Sequence, residues 1–172
     1  PSGHPDAPAL SVLAAFLRNG FLHRTIREQG GAYGGGASHD PNIAAFRFFS
    51  YRDPRLVETL DDFDASIIWL LETQHEQLAL EEAILSVMAS LDKPGSPAGE
   101  AKRDFHERLF GRTAEHRRIL RAGIVGTTLD DLRRVTETYL KPELASTAVI
   151  THTAGADIVA GRQLPLTRQD LL

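Results

Sequence analysis

Residues 26–36 read IREQGGAYGGG, and at this stretch the chain changes from a helical pattern to an extended one. Upstream of it, apolar residues recur at the spacing of one helical face: Leu10, Leu13, Leu17 and Phe21. Asp6 is predicted to cap the start of this helix. Gly30 and Gly31 are predicted to end it, because glycine readily takes the left-handed conformation that closes helices.

The glycines open a predicted β-hairpin. Residues 32–37 form a short glycine-rich strand, residues 38–42 (SHDPN) form a turn, and residues 43–51 form the second strand. Aromatic side chains alternate along that second strand, with Phe46 and Phe48 on one face and Phe49 and Tyr51 on the other.

Amphipathic helices are predicted downstream of the hairpin. Asp53 followed by Pro54 indicates the start of the first, which carries an apolar stripe as far as Leu70. Further helices are predicted near residues 80–91, 98–109, 114–122 and 129–139, the last opened by a capping box of Thr128 and Asp131. Residues 145–151 are predicted to form a final strand, and the tail from Ala154 shows no clear pattern.

Three strands make a thin sheet for so many amphipathic helices, each of which must bury its apolar face. The fold class expected is therefore α+β. Either a two-layer domain packs its helices on this small antiparallel sheet, or further strands upstream of Pro1 complete the sheet. A chain that begins with Pro1 rather than methionine suggests a processed product or a fragment.

The composition of the chain argues against several kinds of partner and metal site. The 172 residues carry a net charge of −4, which gives no electrostatic support for a nucleic-acid partner. The chain has no cysteine, which excludes disulfides and thiolate metal ligands. No apolar run approaches the length of a membrane span, so no membrane partner is expected.

A metal site is not expected in this chain despite its seven histidines. The pattern H-E-x-x-H fails after both His75 and His106, because no second histidine follows at the required place. The inverted pattern H-x-x-E-H comes closest at residues 112–116, but Arg112 stands where the first ligand belongs. Arginine stays protonated and cannot bind zinc.

The glycine run allows three interpretations. A phosphate cradle is disfavoured, because no Lys-Ser or Lys-Thr follows and the glycines come after a helix rather than before one. From the pattern alone, a helix cap with a glycine-rich edge strand is favoured. The third interpretation is a surface that a ligand's backbone can approach closely, since glycine has no side chain.

Longer motifs carry a family resemblance. Residues 17–36 (LRNGFLHRTIREQGGAYGGG) resemble the C-terminal half of presequence proteases, the organellar branch of the pitrilysin/insulinase family of zinc metallopeptidases. Residues 4–10 (HPDAPAL), 50–54 (SYRDP) and 91–97 (LDKPGSP) agree with that family in order and spacing, so the resemblance covers most of the chain.

The resemblance implies that residues 1–172 are a C-terminal, non-catalytic domain within a longer chain, with the fold of the pitrilysin and mitochondrial-processing-peptidase type but without its first strands. It also implies that zinc and the catalytic glutamate belong to an H-x-x-E-H motif in the N-terminal half. This domain alone is then inactive. The implied location is the bacterial cytoplasm or an organelle matrix, with the protein soluble.

By motif position, the resemblance assigns Arg27 and Tyr33 to the substrate near the scissile bond. The glycine run would let a substrate strand approach the sheet edge, so residues 31, 32, 34 and 35 (Gly31, Ala32, Gly34 and Gly35) are expected along the bound peptide. The expected partners are the N-terminal catalytic half and a short unstructured peptide. Self-association through an exposed sheet edge is a further expectation. The alternative is a non-catalytic scaffold domain that mediates association of subunits or half-enzymes.

Overall fold

The computed structural model describes residues 3–160 and 167–169 of the chain. It is rich in helix and contains one antiparallel pair of strands, which confirms the α+β class. The first helix, α1 (Ala7–Leu17), runs directly into a π-helical segment, Arg18–Gln29. The other elements are β1 (Gly34–Asp40), β2 (Ala45–Tyr51), α2 (Val57–Glu72), α3 (Gln77–Asp92), α4 (Pro97–Leu109), α5 (Ala114–Val125), α6 (Leu129–Tyr139), a 3₁₀ turn (Pro142–Leu144) and α7 (Thr153–Ala160).

Helix α1 lies at the centre of the core. It packs against β1, α3, α5 and α6, and residues on all sides of it are buried: Ala7, Ala9, Val12, Leu13, Ala14, Ala15, Phe16 and Leu17. A helix that is apolar all round is a buried helix rather than an amphipathic surface helix. The elements that pack against it, β1, α3, α5 and α6, are therefore arranged around α1.

The π-helical segment lies against the hairpin. Its Leu22 and Ile26 are fully buried. A Cβ added at Gly35 of β1 would come within 2.8 Å of the Ile26 side chain, so glycine at this position lets the segment and the strand approach closely. Gly20 likewise allows a close approach between the π-helical segment and α2, because an added Cβ would lie 2.6 Å from the indole ring of Trp69.

The hairpin is confirmed, with its turn displaced from the predicted position. Gly34 pairs with Tyr51 and Asp40 pairs with Ala45, so the turn comprises residues 41–44 rather than 38–42. The first strand continues past its predicted end because Ser38, His39 and Asp40 still pair with β2. The His39 ring also contacts the Ser11 hydroxyl of α1, with 2.9 Å between Oγ and Nδ1.

Two aspartates predicted as helix caps have other roles. Asp53 does not cap α2, which begins four residues later at Val57. Its carboxylate instead accepts hydrogen bonds from the Ser50 hydroxyl (2.5 Å), the Arg55 backbone N–H (3.0 Å) and the buried Thr59 hydroxyl (2.7 Å). This network fixes the chain between β2 and α2.

Asp6 occupies the N-cap position of α1 but makes no capping hydrogen bond with its side chain. Its carboxylate accepts from the Arg134 guanidinium and from the Tyr139 hydroxyl, each at 2.7 Å. Asp6 therefore fastens the start of α1 to α6 rather than satisfying the first turn of its own helix.

The Asp6 contact predicts an acid-sensitive contribution to stability. Hydrogen bonds from Arg134 and Tyr139 lower the pKa of Asp6 in the folded protein. A depressed folded-state pKa stabilises the protein above the unfolded-state value of about 3.9 and loses that effect as the pH falls through the folded-state pKa. We expect Asp6→Asn to lower Tm by roughly 1–3 °C at pH 7, with a difference from wild type that shrinks below about pH 4.

Thermal unfolding between pH 3 and pH 7 tests this expectation. Asp104→Asn is the matched control, because the ion pair of Asp104 within the described residues is with Arg108 on the same exposed helix, at 2.9 Å. The control is expected to leave Tm unchanged at every pH. A difference for Asp6→Asn that is the same at pH 3 and pH 7 would contradict the assignment.

The structure of the C-terminal part differs from the sequence prediction at two places. The predicted strand over residues 145–151 is wrong, since these residues form no ladder in the described part of the chain and Ile150 is 86% exposed. A strand needs a partner edge as well as β-branched residues. Helix α7, which follows, was not predicted. The capping box of Thr128 and Asp131 is confirmed, with both reciprocal hydrogen bonds present.

Within the described residues, no helix is both long enough and apolar enough to cross a membrane.

Candidate functional site

An open pocket lies where the end of the π-helical segment meets the start of the hairpin. It is lined by Arg27, Tyr33, Gly34, Gly35, Phe49 and Tyr51. The two side chains that the sequence assigned to the substrate therefore share one pocket. None of the six lining residues is acidic, so the permanent charge among them is the guanidinium of Arg27.

Arg27 stands in the last turn of the π-helical segment and is exposed. Its Nη1 lies 3.2 Å from Nε2 of His23, one turn back. Because a guanidinium only donates hydrogen bonds, this ring nitrogen must be the acceptor. The His23 proton then lies on Nδ1, which is 3.3 Å from Oε1 of Glu28. His23 and Glu28 thus form a short polar chain behind Arg27.

Tyr33 lies just before β1 and projects into solvent, with 62% of its surface exposed. The left-handed Gly31, with φ of +80°, turns the chain out of the helix and brings Tyr33 alongside the end of β2. There the Tyr33 backbone N–H donates to the Arg52 carbonyl at 3.2 Å. The phenol hydroxyl makes no hydrogen bond with any residue that the structure describes, which leaves it available to a ligand.

The four backbone positions predicted to contact the peptide differ in their surroundings. Gly34 and Gly35 line the pocket, whereas Gly31 and Ala32 do not. Ala32 is buried and donates its N–H to the Ile26 carbonyl at 3.1 Å. A Cβ at Gly34 would overlap the Tyr51 ring as it is placed, so a larger residue there would displace this half-exposed side chain. Peptide contact at these four positions stays a prediction.

Phe49 and Tyr51 are the pocket residues that sequence reasoning did not assign to the site. Both lie on the face of β2 opposite to Phe46 and Phe48, and they are 41% and 51% exposed. The alternation of β2 was the signal available, because it left two large aromatic side chains on a face with no predicted cover. With Tyr33 they give the pocket an aromatic wall.

Within residues 3–160 and 167–169, no three histidine or carboxylate side chains gather closely enough to hold a metal ion. Zinc therefore has no ligand set in the described part of this chain.

Comparison with known proteins defines the class of the domain. The family model described as the PreP C-terminal domain matches residues 2–153, and the chain therefore belongs to this family. The match confirms the resemblance to presequence proteases.

Three curated relatives illustrate the similarity. The mitochondrial presequence protease of Eremothecium gossypii is 41% identical over 138 residues, 80% of this chain and 14% of the relative. That of Saccharomyces cerevisiae is 38% identical over 141 residues, 81% of this chain and 14% of the relative. That of Mus musculus is 36% identical over 140 residues, 81% of this chain and 13% of the relative. The chain thus spans about one seventh of the length of the curated relatives it matches.

Proposed function

We propose that this domain supplies part of the substrate-binding wall of a presequence protease. In this role Arg27 and Tyr33 donate hydrogen bonds to the peptide carbonyl that is being cleaved. The observation that carries the proposal is that Arg27 and Tyr33 line the same acid-free pocket. Among the residues that the structure describes, none takes the Tyr33 hydroxyl as a hydrogen-bond partner. The domain has a protease-related role because it belongs to the PreP C-terminal domain family.

The chemistry of peptide cleavage explains why these two groups are suited to the role. Attack on a peptide carbonyl moves negative charge onto its oxygen, and donors aimed at that oxygen stabilise the transition state more than the ground state. A tyrosine hydroxyl donates one hydrogen bond without a charge. An arginine adds fixed donors and a permanent positive charge that also suits a peptide carboxylate.

The hairpin suits an extended peptide. The sheet has two strands in the described residues, and Tyr33 stands at its start beside Gly34 and Gly35. A peptide lying along this edge would meet backbone rather than bulky side chains at these glycines, and could add as a further strand. Short unstructured peptides can adopt that extended form without first unfolding, so we propose them as the substrate class.

We place zinc and the catalytic carboxylate in the N-terminal half of the longer polypeptide, because the described residues here offer no ligand set. The relatives named mitochondrial presequence proteases favour an organelle matrix over a bacterial cytoplasm as the location.

A split-enzyme assay tests the proposal. Cleavage of an unstructured peptide is measured with this domain alone, with a separately produced N-terminal part supplied with zinc, and with both together. We expect cleavage only in the mixture. Cleavage by this domain alone would contradict the assignment of catalysis to the other half.

A scaffold role is the second candidate, and helix α4 favours it. This helix buries none of its residues, and large apolar side chains at its C-terminal end remain 63–65% exposed: Phe105, Leu109 and Phe110. Exposed apolar clusters are typical of protein–protein contacts. Under this candidate the two parts would associate, and cleavage would be insensitive to substitution of Arg27 and Tyr33.

A further inference from the structure

Arg52 has an unusual backbone conformation directly after β2. Its φ is +49°, in the left-handed region that residues other than glycine seldom adopt. In this conformation the Arg52 carbonyl points back across the hairpin and accepts the N–H of Tyr33 at 3.2 Å. This hydrogen bond therefore fixes the position of the Tyr33 backbone relative to Arg52.

The Arg52 side chain reaches the same tyrosine. Its guanidinium carbon lies 5.3 Å from the centre of the Tyr33 ring, within the range of a cation–π contact. Within the described part of the chain this guanidinium makes no ion pair and no hydrogen bond. The contact that the structure gives this guanidinium is thus the face of the Tyr33 ring.

Tyr33 has little else to hold its ring. The side chain is 62% exposed, and its other aromatic neighbour, Tyr51, meets it edge-on at 5.6 Å between ring centres. A ring held by two contacts has a restricted orientation, whereas an exposed phenol held by one would sample several rotamers.

We infer that Arg52 is a positioning residue that holds the Tyr33 ring so that its hydroxyl points into the pocket. The inference rests on the proposed function, since it gives the Tyr33 hydroxyl the role of a donor to the substrate. Arg52 itself does not line the pocket, so it acts through Tyr33 rather than on the peptide.

The Arg52→Gly substitution separates a role of the Arg52 backbone, which Tm reports, from a role of its guanidinium, which kcat reports. Glycine adopts positive φ without strain, so Arg52→Gly keeps the backbone turn and should leave Tm unchanged or slightly higher. If the guanidinium positions Tyr33, the same substitution should lower kcat about 2–10-fold in a full-length presequence protease carrying this domain, with little change in KM. Arg52→Lys, which keeps a cation, should recover part of the loss.

Two further variants guard the comparison. Asparagine tolerates the left-handed backbone and carries no charge, so Arg52→Asn should behave like Arg52→Gly. Arg47→Ala removes an exposed arginine from β2, one whose guanidinium lies 3.7 Å from the Asp40 carboxylate, and should leave kcat unchanged.

The decisive measurement is a double-mutant cycle with Tyr33→Phe, with cleavage of an unstructured peptide as the readout. We expect the Arg52→Gly effect on kcat to disappear in the Tyr33→Phe background, because no hydroxyl is left to position. An equal loss in both backgrounds would overturn the inference. Normal kcat for Arg52→Gly with reduced kcat for Tyr33→Phe would overturn the inference alone. Normal kcat for Tyr33→Phe would overturn the proposed function as well.

Discussion

Replacing Tyr33 with phenylalanine in a full-length presequence protease is expected to lower kcat by about 10²–10³-fold, the usual effect of losing one donor to a developing oxyanion. The substitution removes one oxygen from a side chain that is 62% exposed, so Tm should stay within about 1 °C of wild type. Peptide cleavage under saturating substrate and thermal unfolding of the same preparation measure the two quantities.

Tyr139→Phe is the matched control, since it also removes a phenol hydroxyl. That hydroxyl donates to Asp6 at 2.7 Å and is not part of the pocket. The control should leave kcat unchanged and lower Tm slightly. Wild-type turnover in Tyr33→Phe would remove the hydroxyl from the mechanism and favour the scaffold role.

The largest effect on stability is expected from Leu13→Ala. Leu13 is fully buried. It belongs to α1, the helix that packs against α3, α5, α6 and the first strand of the hairpin. Removing its side chain leaves a cavity at a site enclosed on all sides, so we expect the free energy of unfolding to fall by about 2–5 kcal/mol. Urea unfolding of the domain measures this change.

Leu85→Ala serves as its control, because Leu85 is 67% exposed on α3. This substitution should change the free energy of unfolding by no more than about 0.5 kcal/mol. Equal losses for the two leucines would mean that α1 is not the centre of the core.

Periodic patterns predicted the elements well. Leu10, Leu13 and Leu17 placed the first helix, and the alternation along residues 43–51 placed β2 and its two faces. These patterns work because burial on one face imposes a fixed spacing on the chain. They could not reveal that α1 is buried all round, which depends on how many elements surround it.

Single polar residues were predicted less well. Asp6 and Asp53 both stand where helix caps are expected, yet the Asp6 carboxylate binds side chains far along the chain. The Asp53 carboxylate binds groups within six residues of itself, which hold the connection between β2 and α2. Arg134 and Tyr139 lie far along the chain from Asp6, and no local pattern signals such a contact. Residues 145–151 failed for a related reason, since their β-branched residues found no partner edge in the described structure.

Part of the site was predicted, and that prediction came from the family motif rather than from the spacing of residues. Arg27 and Tyr33 came from the resemblance, and the structure brings both to one pocket. Alternation placed Phe49 and Tyr51 on one face of β2, but their position beside Tyr33 follows from the hairpin register, which pairs Gly34 with Tyr51. Arg52 depends on a left-handed backbone angle that no residue type announces.

The position of α1 at the centre of the core has a consequence for synthesis on the ribosome. Helix α1 leaves the ribosome before β1, α3, α5 and α6, which pack against it, and α6 follows only after about a hundred further residues. At about 5–20 residues per second, roughly 5–20 s separate the two. During that interval the apolar circumference of α1 has no complete burial site within this domain, so the core cannot close until α6 emerges.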